Sequence, residues 1–362
     1  MAFSLQNFTS LIKVAAQNNA SDVHIRTNES PSLRINNDLI PVQSKPFSSE
    51  DIEDIINIIT QDKKHRIDLE DLTELDGGME IESLCRLRYN IFKYNGTFGI
   101  VLRLIKLQIP TIDQLNLPAV IKKVSETQRG LILVTGATGS GKSTTLTAMI
   151  DHMNTTRAAH IVTLEDPIEY IHKNNKSRIS QREIGTDTPN FSTALRSALR
   201  QDPDIILIGE MRDAETVSIA LKAAETGHLV LSTVHTTNAI STLSRIISMF
   251  PHEEQDEIKK RLAGSLKATV SQRMLKANTK SGIAIAQEIM LTSPGIRECI
   301  LGEEPLNRII NIIREGKGRS GTGSQSFDQH IMDLYNNDLI TKETALGAVE
   351  SESDFLQMLD FE

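Results

Sequence analysis

The octapeptide Gly136-Ala137-Thr138-Gly139-Ser140-Gly141-Lys142-Ser143 constrains this chain more than any other stretch of it. It follows the apolar run Leu131-Ile132-Leu133-Val134 and precedes Leu146, Met149, Ile150 and Met153 at helical spacing, so it reads as strand, glycine-rich turn and helix start. Such a turn suits an anion. Its glycines let backbone N–H groups converge, and the new helix adds the positive end of its dipole. Lys142 then serves as a point charge for the β- and γ-phosphates of ATP, and the Ser143 hydroxyl as a ligand for Mg²⁺.

The alternation of strand and helix continues beyond this turn, without a sequence repeat. Candidate strands at 131–134, 160–164, 205–208 and 229–233 alternate with helical stretches, one of which runs from Ala214 to Thr226 and stops at Gly227. That alternation predicts a parallel sheet with helices on its faces, occupying 121–362. A chain of 362 residues exceeds what one core usually supports, and residues 1–108 read as a separate domain. There Phe8, Leu11, Ile12 and Ala15 fall at helical spacing, while Val23/Ile25 and Leu33/Ile35 alternate as strands do. Ser48, with Asp51 three residues on, caps a helix striped by Ile52, Ile55, Ile56 and Ile59. A hairpin follows, Leu84 to Tyr94 and Thr97 to Ile105 about an Asn95-Gly96 turn, with Arg86, Arg88 and Asn90 on one face. Pro110 and Pro118 bracket a stretch, 109–120, that reads as a linker, and the Gly/Ser-rich 316–324 reads as flexible.

Composition narrows the function classes. With 39% hydrophobic and 24% charged residues, no long apolar run and no signal-peptide pattern at the start, the chain reads as a cytoplasmic globular protein. Cys85 and Cys299 fit no paired-cysteine pattern and read as reduced, buried thiols. A net charge of −8, four Tyr, ten Phe and no Trp make nucleic acid an unexpected partner.

Binding a nucleotide is not hydrolysing one, which also needs a group to prepare water. Ile205-Ile206-Leu207-Ile208-Gly209-Glu210 is an apolar strand ending in a carboxylate, and ligands of parallel sheets sit at the carboxyl ends of strands. Gly209 stands where many such enzymes carry a magnesium-linked Asp, so Glu210 is expected to act on Mg²⁺ through water and as general base. Glu165-Asp166-Pro167-Ile168-Glu169 delivers further carboxylates to the same edge. His228 and His235 flank the strand 229–233 and are candidates to sense a γ-phosphate. Arg86, Arg88 and Arg103 of the first domain, and Arg178 and Arg182 of the second, have the forked geometry that suits phosphate contributed in trans.

Taken in order, these blocks resemble the secretion ATPases, and most closely their PilT/PilU-type motors of type IV pili. The resemblance rests on Ala20-Ser21-Asp22-Val23-His24-Ile25, the P-loop from Gly136 to Thr144 and the acidic box from Glu165 to Glu169. It rests equally on Gly209-Glu210-Met211-Arg212-Asp213, on Thr226-Gly227-His228 through His235-Thr236-Thr237, and on Gln325-Ser326-Phe327-Asp328-Gln329. It implies a PAS-like α/β domain, then a RecA-like P-loop ATPase domain with C-terminal helices. It also implies a homo-hexamer at the cytoplasmic face of the inner membrane, pulling on a membrane platform protein of the pilus. Glu210 and Glu169 take catalytic roles in that picture, with Lys142, the two histidines and the hairpin arginines around them.

Retraction motors of this kind carry Ala-Ile-Arg-Asn-Leu-Ile-Arg-Glu, where this chain reads Arg308-Ile309-Ile310-Asn311-Ile312-Ile313-Arg314-Glu315. The departure keeps open an accessory ring supporting a paralogous motor. Pilus assembly, secretion and nucleic-acid translocation are further alternatives. Ile309, Ile312 and Ile313 are expected to present an apolar stripe to the ring or to a second one.

Overall fold

A computed structural model describes residues 3–360 apart from 19, 36–37, 61–68, 70, 82–83, 106–107, 280–281 and 318–320. It divides into two compact units, Met1–Gln108 and Ile109–Glu362.

The first unit runs α1 (Leu5–Gln17), β1 (Asp22–Arg26), β2 (Ser32–Ile35), β3 (Asp38–Pro41), α2 (Ser49–Ile59), β4 (Glu74–Ile81), β5 (Cys85–Tyr94) and β6 (Thr97–Ile105). Its six strands form one antiparallel sheet in the order β3-β2-β1-β6-β5-β4. Alternation decides the faces. Val23, Ile25, Leu87, Tyr89, Ile91, Ile100 and Leu102 are buried together with Phe8, Ile12, Ile52 and Ile56 of the helices, while the intervening residues look outward. The Ser48–Asp51 capping box forms as the spacing predicts. Asn95 (φ 48°) and Gly96 (φ 79°) both take the left-handed conformation that a two-residue hairpin turn needs. Strand β4, Glu-Leu-Asp-Gly-Gly-Met-Glu-Ile, lacks strand-like composition and is visible only in the fold. The Tyr89 ring lies over Gly77, where a Cβ would come within 2.4 Å of its hydroxyl.

The second unit opens with α3 (Val120–Ser125), β7 (Gly130–Gly136), α4 (Lys142–Thr156), β8 (His160–Glu165), β9 (Arg178–Glu183) and α5 (Phe191–Ala198). It continues with β10 (Ile205–Ile208), α6 (Ala214–Glu225), β11 (Leu229–Val234), α7 (Ala239–Ser248), α8 (Gln255–Ser265), β12 (Leu266–Lys276) and β13 (Ile283–Leu291). Five helices close the chain: α9 (Pro294–Leu301), α10 (Arg308–Glu315), α11 (Phe327–Asn336), α12 (Lys342–Leu346) and α13 (Glu352–Asp360). The seven strands lie in the order β13-β12-β7-β11-β10-β8-β9, all parallel except β13.

Each central strand is buried on both sides, which is why its sequence is an unbroken apolar run. Leu131 and Leu133 pack with Leu195, Val217, Leu243, Leu262 and Ile309 on one face, while Ile132 and Val134 pack with Ile121, Leu146 and Met149 on the other. The strands of this sheet missed in the sequence are the edge strands β9 and β13 and the strand β12 next to β13, and two of these are polar. Edge strand β9 is Arg-Ile-Ser-Gln-Arg-Glu, and β12 buries Thr269, Ser271 and Gln272, where Ser271 Oγ accepts from Thr135 Oγ1 (3.1 Å) and Gln272 Nε2 donates to Thr145 Oγ1 (2.9 Å).

Three expectations are corrected. The stretch bracketed by Pro110 and Pro118 is no free linker, because Ile112 and Leu117 are buried in the second unit's core beside Ile132 and Leu146. The Gly/Ser stretch is pinned at its described ends: Gly323 N–H bonds Gly316 O (3.0 Å), Leu291 N–H bonds Ser324 Oγ (3.0 Å), and Gln325 pairs with Ile289. Residues 318–320 lie outside the described ones. In α10, Ile309 and Ile313 are fully buried against their own sheet-covering layer and Ile312 packs beside them, so the stripe is spent within the subunit. Cys85 and Cys299 are buried free thiols as expected, and burial pushes the Cys85 thiol up to about 11.

Candidate active site

The P-loop lies between β7 and α4 and forms one wall of a cleft of about 440 Å³ at the carboxyl edge of the parallel strands. Two of its glycines are required by geometry. Gly136 has φ 146°, and a Cβ there would meet Ser140 Oγ at 2.4 Å and Gln272 O at 2.6 Å. Gly141, at φ 88°, begins α4 without a side-chain cap, leaving the first helical N–H groups for an anion. Thr138, Gly139, Gly141, Lys142, Ser143 and Thr144 line the cleft, while Gly136, Ala137 and Ser140 shape the loop behind them. Among the described residues Ser140 Oγ, which is buried, has no hydrogen-bond partner. Lys142 is buried, and its Nζ donates to Gly136 O (3.0 Å) and Ala137 O (2.9 Å). Burial lowers its pKa while Glu210 and Glu169 oppose that shift, so two carboxylates sense this ammonium across the cleft.

The opposite wall comes from the ends of β8, β10 and β11. Gly209 N–H bonds Leu164 O (2.7 Å), Thr233 Oγ1 bonds Gly209 O (2.7 Å) and Met211 N–H bonds Thr233 O (3.1 Å), so the segment after β10 is tied to both neighbouring strands. Glu210 is thereby fixed in the cleft with its side chain only 11% exposed. One of its oxygens pairs with Arg212 and the other lies 3.3 Å from His235 Nε2. Glu169 also lines the cleft. Glu165 accepts hydrogen bonds from Thr163 Oγ1 (2.6 Å) and Gln181 Nε2 (3.1 Å), and burial raises its pKa. The donor set fits a magnesium nucleotide: an ammonium and uncapped N–H groups for phosphate oxygens, and the Ser143 hydroxyl with nearby carboxylates for a hard cation.

Not every expected residue is brought here. His228 sits at the opposite end of β11, about 20 Å along a six-residue strand, and its Nδ1 lies 3.0 Å from Ala223 O. Its place in the fold removes it from the cleft. Arg86, Arg88 and Arg103 share the outer face of the first unit's sheet, where Arg88 and Arg103 are register partners. Arg103 Nε is 3.0 Å from Asp22 Oδ1, and both arginines of the pair border a hollow with Asp76 and Asn90. Arg178 and Arg182 lie on edge strand β9, Arg182 bonding Asp187 O at 3.2 Å. Arg212 and Gln181 were not singled out from sequence. Arg212 carried a signal, standing two residues past Glu210, whereas Gln181 is found only once β9 is known.

With this geometry in view, comparison with known proteins decides the family. Residues 3–312 match the family model for the Type II/IV secretion system protein. The chain belongs to this family. It is 41% identical over 349 residues to the type IV pilus retractation ATPase PilT of Pseudomonas aeruginosa, covering 96% of this chain and 100% of the relative. It is 36% identical to the type IV pilus ATPase PilU of the same organism, covering 97% and 91%. Among solved structures, that of the pilus retraction motor PilT with bound ADP matches with a TM-score of 0.86 at 37% identity, covering 96% of this chain and 98% of that one. The Legionella pneumophila ATPase DotB matches at 26% identity with a TM-score of 0.79, covering 100% and 97%. This secretion ATPase is of the PilT/PilU retraction type, with a PAS-like first unit and a RecA-like ATPase unit. Among the described residues no helix is long and apolar enough to cross a membrane.

Proposed function

We propose that this ATPase drives type IV pilus retraction as a homo-hexameric ring at the cytoplasmic face of the inner membrane, pulling on a platform protein of the pilus base. The observation that carries the reading is Glu210, a nearly buried carboxylate fixed opposite Lys142 in a P-loop cleft. Full-length similarity to retraction ATPases supports it.

In the reaction, ATP phosphates take Lys142 from the carbonyls of Gly136 and Ala137 and lie along the first N–H groups of α4. Ser143 would hold Mg²⁺ directly and Glu210 through water, and the ion would supply neutralisation of phosphate charge. Glu210 accepts a proton as the water oxygen bonds to the γ-phosphorus and the bond to ADP breaks; the proton leaves with inorganic phosphate. His235, beside Glu210, follows the γ-phosphate, and Glu169 adds a second carboxylate near Lys142. The hairpin arginines complete a nucleotide site in trans, acting on a neighbouring subunit's ATP.

Deleting the gene tests the role: surface pili persist while twitching movement is lost. Loss of the pili themselves would move the protein to assembly. Stimulation of the ATPase by single-stranded DNA would instead favour a translocase.

A further inference from the structure

We propose that Arg212 is a positioning residue acting within its own subunit, which restrains Glu210 and exchanges that carboxylate for the γ-phosphate when ATP enters. The inference rests on Glu210 being the group that prepares water, and it adds a control on that group. Both Glu210 oxygens are engaged, one by the Arg212 guanidinium and the other by His235 Nε2 at 3.3 Å. A carboxylate whose two oxygens are both so engaged has fewer lone pairs open to the hydrogen bond of an attacking water.

The two partners differ in freedom. Glu210 is 11% exposed and held through Gly209 and Met211 to the ends of β8 and β11, whereas the Arg212 side chain is 71% exposed and projects into the cleft wall. The arginine head is therefore the mobile member. A γ-phosphate brings more negative charge than a carboxylate, with oxygens that a guanidinium fork can grip in pairs, and it competes for Arg212 as it competes with two carbonyls for Lys142. Movement of Arg212 then does two things together. It frees one oxygen of Glu210 for water, and it places a cation between Glu210 and the charge developing on the transferred phosphoryl group. ADP, having no γ-phosphate, leaves the pair closed.

The test compares binding of ADP and of the non-hydrolysable analogue AMP-PNP to the purified full chain. Arg212→Ala should weaken AMP-PNP about 10-fold and leave ADP within about twofold, with kcat down about 10²-fold. Arg212→Lys, keeping charge without the fork, should recover part of both. Glu210→Gln should tighten AMP-PNP by releasing the arginine, and that gain should vanish when Arg212 is also Ala. A gain that persists without Arg212 would mean simple charge repulsion by Glu210 and would overturn the exchange, as would equal effects of Arg212→Ala on ADP and AMP-PNP. In mixed assemblies an Arg212→Ala subunit with an intact P-loop should stay inactive beside P-loop-deficient partners that keep Arg212; rescue there would make the arginine a trans contributor. Parental turnover by Glu210→Gln alone removes the Glu210 assignment and this inference with it. An inactive Glu210→Gln with unchanged nucleotide selectivity in Arg212→Ala removes only the arginine.

Discussion

At the scale of single residues the cleft is a balance of charges held apart by backbone. Lys142 is buried against carbonyl oxygens and its charge is felt by Glu210 and Glu169, so Lys142→Ala removes the ammonium without touching the fixed acids. Turnover should fall by at least about 10²-fold with weakened ATP binding, measured as phosphate release and nucleotide titration on one folded sample. Glu210→Gln should do the reverse of a binding mutant, retaining ATP while kcat falls by about 10²–10⁴-fold. Parental kcat there would move the base role, with Glu169 next in line. The P-loop, Glu210 and Glu169 were legible from sequence because strand ends in a parallel sheet fix where such residues emerge. His228 was misplaced since a histidine flanking a strand has equal sequence signal at either end, and only the direction of β11 puts His235 in the cleft and His228 away from it. The engagement of Glu210 by Arg212 is a side-chain contact with no periodicity to announce it.

At the scale of elements, the same physics separates what could be read from what could not. Strands buried on both faces, β7, β10 and β11, are continuous apolar runs and were visible, as was the hairpin with its Asn95-Gly96 turn. Strands whose buried polar side chains meet partners distant in sequence, such as β12 through Ser271 and the Gln272 amide N–H, carry no local pattern. The seam between β13 and α11 offers a pH test of this kind of buried polar contact. Gln287 N–H donates to His330 Nδ1 at 2.9 Å, and burial holds the His330 pKa down to about 4, with Asp333 opposing and Lys317 adding to the shift. A histidine neutral in the fold but protonated when unfolded costs stability as pH falls from about 6.5 towards 4. Glu165 and Glu288, whose pKa values burial raises, act with the opposite sign, since the folded chain takes up their protons first. Comparing parent with His330→Asn isolates the histidine: urea unfolding from pH 7.5 to 5 should show the parent losing more stability than the variant. Parallel curves would mean that His330 is not held neutral.

Across the whole molecule the question is how a nucleotide site in one subunit moves a filament. Two features face outward on their own units. The first is the arginine face of the first unit, where Arg88 and Arg103 stand side by side across β5 and β6, with Arg103 held by Asp22 and Arg88 exposed beside it. Arg88→Ala should lower kcat far more than ATP affinity, and mixing it with Lys142→Ala subunits should restore part of the activity; mixtures no better than their components would return Arg88 to a surface role. The second is α10. Its buried residues Ile309 and Ile313 serve the subunit's own core, but Ile310 is 39% exposed and Arg308 reaches Glu304 at 3.1 Å on the surface. Of the three positions that depart from the retraction motif, Arg308 and Ile310 are exposed and the third, Ile312 for Leu, is a near-isosteric exchange beside the core, so the difference lies chiefly in what the helix shows its neighbours and not in how it folds. Arg308→Ala with Ile310→Arg should therefore leave thermal stability nearly unchanged, within about 0.5 kcal/mol, as exchanges of exposed residues do. In cells lacking any second retraction ATPase, the same double variant should increase twitching relative to the parent chain if α10 sets how far this motor works alone. Unchanged twitching with unchanged ATPase would exclude the outer face of α10 from force coupling and leave the arginine face as the surface through which one subunit's nucleotide acts on the next.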